Sequence, residues 1–263
     1  MLQQAADLRT EGDALFKLLN NLEDSDWDRA TLFKGWTVND VIQHLHDSDL
    51  LASASARNPE EYSRLRGGIM ERRDAGLSRV EEARQRFGDL KGRKLLTAWR
   101  ETLTALCDAL ADRDPKERLR WAGPDMGVRM FTTARQMETW AHGQEIYDLR
   151  GIRRENTDRI KNIAVLGVRT FGWTFTNRGE AVPGDAPFVR LTAPSGDIWD
   201  WNDPASDNRV EGDAVAFCQV VTQVRNIKDT DLAVSGETAE RWMSLAQCFA
   251  GPPEDPPAPG ARL

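Results

Sequence analysis

Apolar or small residues recur at Ala5, Leu8, Leu15, Leu19 and Leu22, at intervals of three and four or their sums. That spacing places them on one face of a helix, which is expected to end near Leu22. The acidic EDSDWD reads as a turn. GWTVNDVIQHLHDSDLLASA then opens on Thr37, a residue type that caps helix starts, and carries Val38, Val41, Ile42 and Leu45 on one side of a second helix. Residues 59–90 are highly charged and contain Gly67-Gly68, so a broken helix or a long crossover is expected there. A further stripe, Leu96, Trp99, Leu103, Leu106 and Leu110, encloses Cys107. A free cysteine so placed reads as a small core residue rather than a nucleophile.

The Gly- and Pro-containing RWAGPDMG interrupts the pattern. Beyond it the spacing predicts a helix from about Val128 to Leu149, stopped by Gly151, and another over 156–177. From Pro187 the period changes. FVRLTAPSGDIWDW is two strand-like runs around Pro-Ser-Gly-Asp, a hairpin signal, and GDAVAFCQVVTQV and GETAERWMSLAQCFA read as helices, each preceded by a short extended stretch. No internal repeat is visible. The linker NRGEAVPGDAP marks the expected boundary between a helical domain over residues 1–180 and a small α/β domain over 187–250. The Pro-rich tail, 251–263, is expected to lack fixed structure.

With 263 residues, 40% of them hydrophobic, the chain has enough apolar material for its cores without disulfides. Its three cysteines, Cys107, Cys218 and Cys248, lie far apart and show no C-x-x-C spacing, which suggests neither a disulfide framework nor a thiolate metal site. A net charge of −7 leaves no basic field for nucleic acid. No apolar run approaches the ~20 residues that span a bilayer. MLQQAADLRTEGD also lacks the basic start and apolar stretch of a signal peptide, so no membrane partner and a cytoplasmic location are expected.

The chemistry concentrates in ARQMETWAHGQEIYD, residues 134–148. Phe131, Ala134, Glu138, Ala141, His142, Glu145 and Leu149 fall within about one 100° arc of a helix, and the apolar members imply that the arc is buried. A buried carboxylate has to be paired, metal-bound or protonated, because desolvating it alone is costly. Glu138 and His142, four residues apart, can reach one point beside the helix, as two metal ligands must. A core histidine hydrogen-bonded to the glutamate fits the same spacing. His44 and His46 are the other histidines; they flank the second helix's stripe on opposite sides, and periodicity does not choose between them. Exposure on a helix flank is the alternative for both.

Four further residues are candidates. Asp49, nearer the stripe's centre, is placed to hydrogen-bond a ligand. Glu145 shares the arc and would orient His142 or bind a cosubstrate, unless it is an exposed helix-end residue. Arg135, at the arc's edge, would hold a substrate carboxylate by a bidentate contact, with a structural ion pair as the alternative. Arg225, at the end of a helix of the second domain, is a further anion-binding candidate.

GWTVNDVIQHL, followed near mid-chain by ARQMETWAHGQE, resembles the DinB-like metalloprotein superfamily, within it the group related to mycothiol-dependent maleylpyruvate isomerase. The resemblance covers residues 1–180 well and extends more weakly to the C-terminal domain. It implies an α+β protein: a DinB-like four-helix bundle followed by a small sterol-carrier-like α/β domain. It also implies a divalent metal, usually zinc, bound by the histidine of the HL pair and by the glutamate and histidine of E-x-W-A-H-G. Those positions here are His44, Glu138 and His142, while His46 lies where relatives carry a residue that is not a ligand. Trp36 and Trp140 belong to the matched motifs and are expected to pack the ligand helices.

Two histidines and one carboxylate leave open metal positions, as catalytic rather than structural zinc sites do, and the same set suits non-haem Fe(II). The implied function is activation of a low-molecular-weight thiol, mycothiol or a similar one, for isomerisation or S-transfer on a small organic substrate, by a monomer or homodimer. A hydrolase or hydratase using metal-bound hydroxide without a thiol is one alternative. A non-catalytic, metal-containing small-molecule binding protein is the other.

Overall fold

The computed structural model describes residues 1–123 and 125–262. The chain is an α+β protein whose contacts divide it into two compact units, Met1–Ile152 and Arg153–Leu263.

The first unit contains α1 (Gln3–Leu19), α2 (Val38–Arg57), α3 (Pro59–Asp74), α4 (Arg79–Phe87), α5 (Gly92–Ala111), a two-stranded hairpin of β1 (Arg118–Leu119) and β2 (Met126–Gly127), and α6 (Val128–Arg150). Helices α1, α2, α5 and α6 form a four-helix bundle in which α1 and α2 each pack on both α5 and α6. The predicted stripes supply its core: Leu8, Leu15, Val41, Ile42, Leu45, Trp99, Leu103 and Phe131 are buried, and so is Cys107. At Gly12 a Cβ would lie 2.0 Å from Leu103 Cδ2, so α1 and α5 reach this spacing because position 12 carries no side chain.

The ends of the two site-bearing helices follow from the sequence. Thr37 starts α2: its hydroxyl accepts from Asp40 N at 3.2 Å, and Asp40 Oδ2 accepts from Thr37 N at 2.8 Å. Gly151, in the left-handed region at φ 62°, ends α6.

The charged segment 59–90 is two helices, and its break falls after Asp74 and not at Gly67-Gly68. Asn58 caps α3 by accepting from the amides of Glu60 and Glu61, and Pro59 occupies its first turn. Gly76, at φ 99°, turns the chain beyond its end. Tyr62 and Ala83 are the buried apolar side chains of this α3–α4 arm. Ion pairs hold the rest: Arg84 takes both oxygens of Asp40 at 2.7 Å, Arg86 pairs with Asp47 and with Glu82, and Arg72 reaches Glu82 at 2.8 Å.

The second unit begins with α7 (Lys161–Arg169) and α8 (Phe171–Thr176), separated at Thr170, where one helix over 156–177 was expected. Strands β3 (Phe188–Thr192), β4 (Ile198–Trp201), β5 (Arg209–Asp213) and β6 (Ala233–Ser235) form a sheet in the order β4-β3-β5-β6. The β3–β5 pair is parallel and the others antiparallel. Helices α9 (Ala214–Val221) and α10 (Glu237–Leu245) follow β5 and β6. In β3, Val189 and Leu191 share one buried face, while Phe188 lies on the face of Arg190 and is buried beneath the Arg190 and Arg209 side chains. Phe171, Phe217 and Trp242 meet edge to face at the centre of this core.

Helix α7 packs on α9, with Gly167 against Phe217 and Val221, so the division of contacts falls at 152, ahead of the linker over 177–187. A helical stripe has the same period whichever partner it packs on, and the linker therefore lies within the second unit. The Pro-rich tail does have fixed partners. Gln223 Nε2 donates to Glu254 O at 2.8 Å, Asn226 Nδ2 to Pro257 O at 2.8 Å, and Gly260 N to Asp229 at 2.9 Å. A Pro-rich segment loses little chain entropy on being fixed, so a few side-chain hydrogen bonds suffice to hold it.

Candidate metal centre

Helix α6 is buried on most sides, but the arc carrying Glu138 and His142 is less closed than its apolar members implied. Ala134, Glu138, Ala141 and His142 are all partly exposed, so one face of the helix opens at the polar pair. Helix α2 brings His44 to the same point. Its Nε2 lies 3.0 Å from Glu138 Oε2, and His142 Nε2 lies 3.5 Å from that oxygen. Among the described residues these three form the group of His, Cys, Asp and Glu side chains that meets the geometry of a metal site, with one donor atom from each within 4.8 Å of the others.

The spacing fits a metal. Two donors each about 2.1 Å from one ion lie roughly 3.0 Å apart at a right angle and roughly 3.4 Å apart at a tetrahedral angle. The observed 3.0 and 3.5 Å span that range. Protonation fits as well. Burial pushes the His44 imidazole down to about 3, against the opposing hydrogen bond to Glu138. Burial alone would raise Glu138, but its hydrogen bonds with His142 and His44 outweigh it and hold the carboxyl well below the usual range. A neutral imidazole and an ionised carboxylate are the forms that bind metal.

The residues before α2 form an aromatic wall over the triad. Thr31 N donates to Trp36 O and Trp36 N to Phe33 O, closing a tight loop through Lys34 and Gly35, both at positive φ. Trp36 stacks on the His142 ring at 5.7 Å and 7°, Phe33 meets it edge-on at 5.1 Å, and Trp36 stands 5.5 Å from the His44 ring. Trp36 is partly exposed there, while Trp140 lies in the fully buried interior. Phe33 is absent from the sequence-level candidates, because a lone aromatic in a Gly-containing loop carries no periodic signal.

The structure resolves the histidine alternatives and moves two candidates. Both His44 and His46 are buried, not exposed on helix flanks. The His46 ring lies on the other side of α2, 5.2 Å from Phe87 and away from the triad. Asp49 and Arg135 are 0% and 1% exposed and pair with each other at 3.0 Å, while Trp99 Nε1 donates to the second Asp49 oxygen at 3.0 Å. Arg135 is therefore an ion-pair partner of Asp49, the second of its two alternatives, and Asp49 an acceptor within the core. Glu145 is buried one turn beyond Ala141 on α6. Arg225 belongs to the second unit, buried just after α9, with Nη1 donating to Val224 O.

A family model described as the mycothiol maleylpyruvate isomerase N-terminal domain matches residues 8–147. Proteins from two strains of Mycobacterium tuberculosis, both described as uncharacterized, are 37% identical over 248 residues, covering 94% of this chain and 95% of theirs. The crystal structure of a mycothiol-dependent maleylpyruvate isomerase aligns with a TM-score of 0.54 at 13% identity, over 90% of this chain and 92% of that one. A histidine-to-alanine mutant of that enzyme gives the same values. At this identity the likeness is one of fold.

Proposed function

Because the chain belongs to the mycothiol maleylpyruvate isomerase family of DinB-like metalloproteins, we propose that it is a divalent-metal-dependent enzyme that activates a low-molecular-weight thiol. The thiol, mycothiol or a similar one, serves isomerisation or S-transfer on a small organic substrate. The observation that carries this reading is the convergence of His44, Glu138 and His142 on one point with metal-like spacing, on a face that is not fully closed.

When bound there, a zinc ion supplies the charge that draws a thiol, ordinarily of pKa about 8.5, into its thiolate form. The chain's own groups do the rest. His44 stays neutral and presents a lone pair. Glu138 supplies a negative charge that offsets the ion. Trp36 and Phe33 cover the two imidazoles and keep bulk water from them, which strengthens electrostatics at the reacting centre. Glu145 is proposed to bind cosubstrate, and Arg225, within the second unit, to bind an anion. Among the described residues no helix is long and apolar enough to cross a membrane.

Elemental analysis of protein purified without chelators, followed by turnover assays with and without added mycothiol, tests the reading. About one zinc or similar ion per chain is expected, with turnover that requires the thiol and is lost in His44→Ala. A protein that takes up no metal on dialysis against Zn²⁺ refutes it. Turnover without any thiol points to the metal-hydroxide hydrolase.

A further inference from the structure

In the triad the His142 imidazole turns Nε2 toward Glu138, 3.5 Å from its Oε2. A histidine that gives the Nε2 lone pair to an ion carries its proton on Nδ1, and that N–H ordinarily donates to a carboxylate or a carbonyl, which fixes the ring's orientation. Here Nδ1 is buried and has no hydrogen-bond partner among the described residues. Something other than a hydrogen bond must orient the ring.

Aromatic contact is what surrounds it. Trp36 lies parallel to the His142 ring, at 7° and 5.7 Å between centroids, while Phe33 stands at 81° and 5.1 Å and the His44 ring at 71° and 4.7 Å. Stacked and edge-on pairs at these separations are the ones aromatic rings prefer. Trp36 also meets Phe33 at 4.9 Å and His44 at 5.5 Å, so it pairs with every other ring of the cluster. The backbone fixes Trp36 in turn. Its N–H donates to Phe33 O at 2.9 Å, its carbonyl accepts from Thr31 N at 2.7 Å, and it directly precedes Thr37, which starts the helix of His44. A stacked indole thus ties a side chain of α6 to the start of α2.

We propose that Trp36 is a positioning residue of the metal centre, whose face holds the His142 imidazole with Nε2 aimed at the ion, in the role that an acceptor at Nδ1 would otherwise play. The inference rests on the reading of His44, Glu138 and His142 as metal ligands. Ring character at position 36, and not apolar bulk alone, then sets how tightly the centre holds its ion and with what geometry.

Two measurements on the full chain test it in wild type, Trp36→Phe and Trp36→Leu: zinc affinity by competition with a chelator, and the visible absorption of the Co²⁺-loaded protein, whose bands report the ligand arrangement. Trp36→Leu is expected to bind zinc about 10–100-fold more weakly, the scale of losing an orienting partner of a metal-bound histidine, and to shift the Co²⁺ bands. Trp36→Phe keeps a ring that can stack and is expected to restore most of both. Helical circular dichroism checks the bundle in each variant, and Trp36→Met takes the place of Trp36→Leu if the latter loses it. A folded Leu or Met variant with wild-type zinc affinity and unchanged bands overturns the positioning role. So does an equal loss in the Phe variant, which would make size and not the ring the cause. Wild type that takes up neither ion overturns the metal reading itself, and this role with it.

Discussion

Asp49→Asn removes one negative charge from the centre of the bundle with almost no change in shape. Asp49 is fully buried and accepts from Arg135 Nε and Trp99 Nε1, both at 3.0 Å. An amide keeps one oxygen but turns an NH₂ toward the other donor, so one of the two loses its acceptor. The Arg135 guanidinium, 1% exposed, is left without a counter-charge. Breaking a buried pair from one side costs about 3–5 kcal/mol. A unit of 152 residues loses roughly 3 °C of Tm per kcal/mol, so Asp49→Asn should melt about 10–15 °C below wild type. Thermal unfolding followed by circular dichroism measures this. The double variant Asp49→Leu/Arg135→Met, which removes both charges, should recover most of the loss. A melting point for Asp49→Asn within about 3 °C of wild type would mean that Arg135 is compensated elsewhere, and the assignment of this pair to the core would fall.

Glu138→Gln keeps the shape of the triad and removes its charge; zinc affinity by competition with a chelator should drop by at least the 10–100-fold seen for more distant changes, with the helical circular dichroism retained. Unchanged affinity would make the triad an ordinary core hydrogen-bond cluster. His46→Ala should keep full metal content, because the His46 ring faces Phe87; metal loss equal to that of His44→Ala contradicts this. Burial, with the Arg86 charge adding, pushes His46 down to about 4, so below its ordinary 6.5 the unfolded chain binds a proton that the folded chain refuses. Wild-type stability should therefore fall as pH drops from 6.5 toward 4, by at most about 1.4 kcal/mol per unit from this group, and His46→Gln should flatten the slope in urea denaturation. Identical slopes would rule the effect out.

The bundle was legible where local chemistry and periodicity agree. Thr37 with Asp40 marks the start of α2, Gly151 marks the end of α6, and the stripes of α1, α2 and α5 name their buried faces. The arm over 59–90 was legible as a broken helix, but not where it breaks or what anchors it, because it is fixed by ion pairs such as Arg84 to Asp40, and charge pairing across helices has no period. The Glu138–His142 pair was visible from its spacing. The choice of His44 over His46 came from resemblance and not from periodicity, since both flank the stripe and the structure buries both. Phe33 was silent because it acquires its role from His142, a neighbour remote in sequence. The tail misled because composition reports what a segment can bury and not which side chains wait for its carbonyls.

The two kinds of attachment in the first unit divide its stability unequally. The bundle is closed by apolar packing, whereas the α3–α4 arm is fastened mainly by Arg72, Arg84 and Arg86 on their carboxylates, and Arg84 is half exposed. Salt screens ion pairs more than apolar contacts, and among these it weakens the half-exposed Arg84 pair most and the more buried Arg72 and Arg86 pairs less. Backbone amides of the arm should therefore exchange with solvent deuterium through openings too small to involve the bundle, and more readily at higher salt. Since α4 forms one wall beside His44, the ease of reaching that histidine is set by the arm's own opening equilibrium, independently of how tightly the ligand helices are held.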